Sequence, residues 1–330
     1  MLRRSMISLA GGMALAALPA RALTPGRTYR IAYFGLYAVN TPTEERILEE
    51  FRNRLRQLGL TEGGNLVILW RYAEGKPERY DEFAAEAVRL AVDAVVVSNV
   101  LAALAVTKVS GNTPVVAWSL GSDPVRAGLV ASLARPGGQV TGIYDLQDDL
   151  TPKRIQLLKE AVPTAKRIAI ARCPRCGTNA GESQARFDAH DAAARSLGVT
   201  LVPLELNAPA DFTGASALLR RQRPDGLIVQ NDPVTLALRK ELSALAVELR
   251  LPMMGLINEN GSLLGYGTDY SAIFRRAAEF VVRILDGAKP ADLPMEQPTK
   301  FTMTVNLKTA KAIGLTIPQS VMLQATEVIE

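Results

Sequence analysis

The sequence predicts an α/β protein made of two similar doubly wound parallel-sheet lobes with a ligand cleft between them. Three observations carry this. Short β-branched runs alternate with amphipathic helical runs, the pattern of βαβ units on a parallel sheet. The alternation occurs twice with landmarks in one order: a basic residue followed by Ile-Ala, a helix closed by glycine, an aspartate before a buried strand, and a proline before the next strand. Finally, 330 residues exceed the size at which single cores usually stop growing, so two domains are expected. A composition with 5% aromatic residues and many Ala, Val and Leu suits the same class.

Residues 1–22 carry Arg3 and Arg4, an apolar run from Met6 to Leu18 and the triplet Ala20-Arg21-Ala22, the layout of a signal peptide cleaved after Ala22. Paired arginines before a short apolar run leave both the general and the twin-arginine export routes open. The run is shorter than the roughly 20 residues a spanning helix needs. The most apolar later stretch, "AVDAVVVSNVLAALAV", is interrupted by Asp93, Ser98 and Asn99 and reads as a buried strand and helix. A periplasmic or otherwise exported protein is therefore expected. Removing the leader takes Lys and Arg from 38 to 35 against 33 acids, and a charge of +2 gives little support to nucleic-acid binding.

In the first half, the strand "YRIAYFGL" leads to a helix from Glu44 to Leu58 closed by Gly59. A strand "NLVILWRY", a helix from Tyr80 to Leu90, a strand "DAVVVSN", a helix from Leu101 to Val109 and a strand "TPVVAWSL" follow. In the second half, "KRIAIARC" leads to a helix from Gly181 to Leu197 closed by Gly198. Then come "TLVPLELN", a helix from Phe212 to Arg221, "DGLIVQND", a helix from Thr235 to Leu249 and "LPMMGLIN".

Ligands of open parallel sheets gather at the carboxyl ends of the strands. The residues expected there are polar throughout. After the first strand of each half stand Tyr37 and Asn40, against Cys173 and Asn179. After the third stand Ser98 and Asn99, against Asn231 and Asp232. After the fourth stand Ser119, Ser122 and Asp123, against Asn258 and Glu259. Helices starting at such tips offer free backbone N–H groups to an anion, so Ser98, Asn99 and Ser119 are candidates for holding a carboxylate. Asp123, Asp232, Glu259 and Asp269 are candidates for opposing an ammonium, and Tyr37, Tyr266 and Tyr144 for stacking on the ligand body. Asn99, Asp232 and Thr41 serve equally well as helix caps, and Tyr266 as hinge packing.

Two longer stretches are more specific: "SDPVRAGLVASLARPGGQVTGI" from Ser122 to Ile143, and "ILDGAKPADLPMEQPTKFTMTVNLKTAKAIGLTIPQSVM" from Ile284 to Met322. With "GYGTDYSAIFRRAA" from Gly265, they resemble the ABC-transporter substrate-binding proteins related to tryptophan/tyrosine-binding proteins, of type I periplasmic binding protein fold. The resemblance runs from Arg30 to the end. It implies two lobes joined by three crossings, near Gly142 to Leu146, near Gly261 to Tyr266 and after Pro290. The implied division is 1–22 leader, 23–144 first lobe, 145–265 second lobe with 266–290 partly returning across the hinge, and 291–330 a C-terminal crossover segment. A small polar molecule, an amino acid or related metabolite, would be enclosed on closure and delivered to a membrane permease. A monomer is the default expectation, and no cofactor is implied. "RPGGQVTG" then reads as a turn and hinge approach. Neither G-x-G-x-x-G nor a Walker pattern occurs.

The chain departs from that family at Cys173-Pro174-Arg175-Cys176, its only two cysteines, in a loop expected to shape the cleft wall. A disulfide or inert thiols, a redox role and metal ligation all remain open. The redox reading is weakened because "GTNAG" separates Cys176 from the next helix. Zinc usually needs four ligands, and the chain adds only His190, which falls mid-helix beside Asp191 and reads as a partly exposed surface residue. An exported thiol oxidoreductase or another enzyme is the alternative function. G-x-S-x-G is absent, and one histidine makes a Ser-His triad a poor fit. A transcription repressor with the same two-lobe core would need a DNA-binding headpiece where this chain has an export signal.

Overall fold

In the strand β1 (Tyr29–Gly35), alternate side chains enter two different cores, which is what a sheet covered on both faces requires. A computed structural model of the chain describes residues 23–39, 42–121, 123–145, 147–176, 180–255 and 261–330. The leader, Asn40, Thr41, Ser122, Asn179, Asn258 and Glu259 lie outside the described residues. Ala32 and Phe34 face one core with α2 (Arg79–Arg89) and α3 (Val100–Val109). Ile31 and Tyr33 face the other with α1 (Pro42–Gln57). The strands β2 (Leu66–Tyr72), β3 (Ala94–Val97), β4 (Val115–Ala117) and β5 (Val140–Gly142) complete a parallel sheet of order β2-β1-β3-β4-β5.

The second sheet repeats that order. β6 (Arg167–Arg172) lies between β7 (Thr200–Glu205) and β8 (Gly226–Val229), and β9 (Met253–Gly255) follows, all parallel. One face carries α4 (Thr151–Ala161) and α5 (Ala180–Ser196) over Ile168, Ile170 and Ile228. The other carries α6 (Phe212–Gln222), α7 (Pro233–Ala237) and α8 (Arg239–Glu248) over Ala169, Ala171 and Leu227. The single helix expected from Thr235 to Leu249 is thus two, broken at Leu238, which leaves the helical region with ψ 9°.

The sheet then departs from the pure parallel pattern. β10 (Leu264–Thr268) pairs parallel with β9, and β11 (Phe301–Asn306) pairs antiparallel with β10, followed by β12 (Glu327–Ile329) parallel to β11. The reversal has a topological cause. After β10 the chain leaves for the other lobe, where α9 (Tyr270–Leu285) seats Phe274 edge-on against Phe51 of α1 and joins the core of the first lobe. Met295 N–H donates to Leu133 O at 2.8 Å, Glu296 N–H donates to Gly142 O of β5 at 2.9 Å, and the chain then re-enters the second sheet from the opposite end.

The second crossing therefore lies at Asp269, whose N–H donates to Lys300 O at 2.9 Å, and not between Gly261 and Tyr266. Only the stretch just before Phe301 crosses. The rest of the tail adds β11, β12, α10 (Leu307–Ile313) and α11 (Gln319–Met322) to the second lobe. At the first crossing, Gly142 has φ +121°, and a Cβ there would sit 2.1 Å from Ala117 O of β4. Only glycine fits this approach.

Candidate functional site

Each sheet has a switch point beside its first strand, between β1 and β3 and between β6 and β8, and the crevices outside them face each other. Between them lies a cavity of about 530 Å³ lined by both lobes. The first lobe supplies an aromatic wall. Trp118 lies 4.6 Å from Phe274 and 6.0 Å, edge-on, from Tyr270, ring centre to ring centre, with Tyr33 also lining the cavity. Burial pushes the Tyr33 and Tyr270 phenols up, so both stay neutral hydroxyls.

Of the residues expected from strand ends, the cavity wall contains Tyr37, Ser98, Asn99, Ser119, Asn231 and Asp232, together with Cys173 and Cys176. Their chemistry is more committed than their polarity suggested. Asn99 caps α3: its Oδ1 accepts from Ala102 N–H at 2.9 Å, and its Nδ2 donates to Tyr80 Oη at 2.8 Å and Ser98 Oγ at 3.2 Å. Ser119 Oγ donates to the buried Asp145 carboxylate. That contact begins a buried relay through the crossings. Gln147 Nε2 donates to Asp145 Oδ2 and Thr268 Oγ1, both at 2.8 Å, while Gln147 Oε1 accepts from Arg154 Nη2 at 2.7 Å. Arg154 also holds the Tyr266 carbonyl at 2.8 Å. The hinge is thus cross-linked by one satisfied polar network.

Asp232 plays the corresponding part in the second lobe. Its Oδ1 accepts from Val234 N–H at 3.0 Å and Thr235 N–H at 2.8 Å, capping α7, and its Oδ2 accepts from Cys173 N–H at 2.9 Å. Burial raises its carboxyl to about 6 against the pull of those N–H groups. Cys173 and Cys176 are joined in a disulfide, so neither sulfur is available as a thiolate ligand, although both lie within 4.8 Å of an Asp232 oxygen.

Contacts from one lobe to the other cross the cleft. Tyr37 Oη donates to Pro233 O at 2.8 Å. Arg239 Nη2 meets Glu44 Oε1 at 3.1 Å, both side chains largely out of solvent. Burial raises the Tyr37 phenol, with nearby Arg239 pulling the other way. Ser243 Oγ, on the second-lobe wall, is buried without a hydrogen-bond partner among the described residues.

Several expectations are corrected. Asp123 is outside the cavity wall because its carboxylate folds onto its own turn, accepting from Val125 N–H at 2.9 Å and Arg126 N–H at 3.3 Å. Asp269 caps α9 by accepting from Ala272 N–H at 2.9 Å. Tyr266 stacks on Phe301 at 6.1 Å, since β10 lies one strand beyond the cleft, and Tyr144 is buried beside the hinge. Asn40, Asn179 and Glu259 lie outside the described residues. His190 is buried, 3.4 Å from Gln230 Nε2, rather than at the surface. Tyr33, Tyr270, Phe274, Glu44, Arg239 and Ser243 also line the cavity, and none of them stands at a predicted strand end. The "GYGTDYSAIFRRAA" stretch was the signal for two of these, because its helix returns to the first lobe.

Comparison with known proteins agrees with this architecture. A family model described as ABC transporter substrate binding protein matches residues 36–329. A tyrosine-binding protein of Clostridioides difficile (strain R20291) is 24% identical over 281 residues, 84% of this chain and 79% of that protein. Among solved structures, the ABC domain of Streptococcus pneumoniae in complex with L-Trp superposes with a TM-score of 0.79 at 22% identity. It covers 92% of this chain and all of its own. A conserved domain protein of Vibrio cholerae gives 0.80 at 25% over the same shares. The ligand-free, open structure of a Clostridium difficile substrate binding protein gives 0.66 at 24%, over 92% of this chain and 99% of its own. These structures share the two-lobe type I periplasmic binding protein fold.

Proposed function

Because the chain belongs to the ABC transporter substrate-binding protein family, we propose that it is the extracytoplasmic receptor of an importer, capturing an amino acid or related small metabolite between its lobes. The observation that carries this reading is the cavity of about 530 Å³ shared by the strand ends of both sheets and bridged by Tyr37–Pro233 and Arg239–Glu44. A ligand in that space contacts both lobes only when they are together, so it binds the closed state better and shifts the population toward it. The aromatic wall of Trp118, Phe274, Tyr270 and Tyr33 suits an apolar or aromatic ligand body, and the buried Ser243 hydroxyl offers a hydrogen bond from the opposite lobe. The tyrosine-binding relative and the L-Trp complex support an amino acid. A closer match to the ligand-bound neighbour than to the open one supports a closed arrangement here.

On this reading residues 1–22 direct export and are removed, the closed lobes present themselves to a permease in the membrane, and the receptor acts as a monomer without a cofactor. The family is one of solute binders, and no reaction is assigned to the cleft. A thermal-shift screen of residues 23–330 against amino acids, small carboxylates, nucleosides and sugars tests the proposal. A saturable rise in melting temperature with amino acids is expected. No response to any compound under oxidising or reducing conditions would refute it.

A further inference from the structure

The C-x-x-C motif is unused by ligand capture, yet it is wired to the elements that close the cleft. Both cysteines line the cavity, with Cys173 buried in the core of the second lobe and Cys176 partly exposed. Cys173 N–H donates to Asp232, and Asp232 caps α7 through Val234 and Thr235. One carboxylate therefore ties the disulfide loop to a helix start. The same helix start carries Pro233, whose carbonyl accepts from Tyr37 across the cleft, and just beyond α7 stands Arg239, paired with Glu44.

We propose that the Cys173–Cys176 disulfide is a redox control on ligand capture. Oxidised, the loop holds Asp232 and α7 in the closing position; reduced, it releases them and affinity falls. This rests on the cleft reading above. The reductant is a dithiol. Its thiolate attacks one protein sulfur to give a mixed disulfide, and its second thiol displaces the protein sulfur. The protein gains two electrons and two protons as two thiols, and the reductant leaves as a disulfide. The loop that carries the Cys173 N–H is then no longer closed by the S–S bond, and its hold on Asp232 loosens.

The test compares the oxidised chain, the chain reduced with dithiothreitol until titration finds two thiols, and the C173S/C176S variant. Amide hydrogen exchange at Cys173, Val234 and Thr235 is measured in each, with L-tyrosine affinity as the second readout. Reduction is expected to speed exchange at the three amides and weaken L-tyrosine about fivefold, the scale of one lost helix cap. The double variant should match the reduced chain and ignore dithiothreitol. Equal exchange in oxidised and reduced protein overturns the proposal, as does unchanged affinity despite faster exchange, or a response of the double variant to dithiothreitol. Faster exchange with no L-tyrosine binding in either state supports the link from disulfide to α7 and counts against the amino-acid reading instead.

Discussion

Replacing Gly142 by alanine would strike the point where the chain begins its first crossing between lobes. Its φ of +121° lies where L side chains are strained, and the new Cβ would meet Ala117 O at 2.1 Å, Ala117 N at 2.7 Å and Ala117 C at 2.9 Å. All three are backbone atoms of β4, the strand to which β5 is hydrogen-bonded, so no side chain can swing aside. Relief requires β4 and β5 to part or the peptide to rotate. The backbone strain costs about 1–3 kcal/mol and forced overpacking about 1–3 kcal/mol, so a loss of about 2–6 kcal/mol is expected. That is a large share of the roughly 5–15 kcal/mol that holds a typical domain folded. Urea unfolding followed by circular dichroism reads it, with Gly198→Ala as the comparison. Gly198 also has positive φ, +69°, but nothing lies within 4 Å of the place a methyl group would take there, so about 1 kcal/mol is expected. If Gly142→Ala lost no more stability than Gly198→Ala, the close approach of β5 to β4 would be refuted.

Three further outcomes follow from the cleft. Asp232 has its carboxyl raised to about 6 in the folded chain against 3.8 otherwise, so the folded state holds the proton more tightly and stability falls as pH rises from about 4 to about 6. The fall is at most about 3 kcal/mol; urea midpoints across that range should drop in the parent but not in Asp232→Asn, and identical pH profiles would contradict this. Tyr37→Phe removes the hydroxyl bond to Pro233 O and should weaken L-tyrosine about fivefold by calorimetry, with melting temperature of the free protein little changed. Asn99→Ala removes the α3 cap and the bond to Tyr80, costing about 1 kcal/mol of stability in the same urea assay; an unchanged midpoint would count against the cap.

The strands and helices of both halves are legible because each is a local pattern: alternate residues of "RIAYF" and "RIAIA" face two cores, and their periodicity is written in neighbouring positions. What strand-end position foretells is location, as for Ser98, Asn231 and Asp232, which line the cavity. It does not foretell which partner a polar group takes. Asp123 bonds its own turn and Ser119 bonds Asp145 from 26 positions away, choices fixed by tertiary geometry. The aromatic wall was hidden for a related reason. Tyr270 and Phe274 reach the first lobe only because α9 crosses back to pack on α1, and Tyr33 sits inside a strand rather than at its tip. The antiparallel entry of β11 likewise follows from a return path that local periodicity does not record.

If the lobes close on a ligand held between them, Trp118 sits where closure can be read. Trp70, the other tryptophan, lies under Arg52 at 4.6 Å, donates to Glu62 and packs behind Tyr33 without lining the cavity itself. A Trp70→Phe variant therefore leaves Trp118 as the only indole, and its fluorescence should change saturably, with one-to-one stoichiometry, on titration with L-tyrosine or another amino acid that raises the melting temperature. A ligand that raises the melting temperature while leaving Trp118 fluorescence unchanged would contradict binding in the cleft.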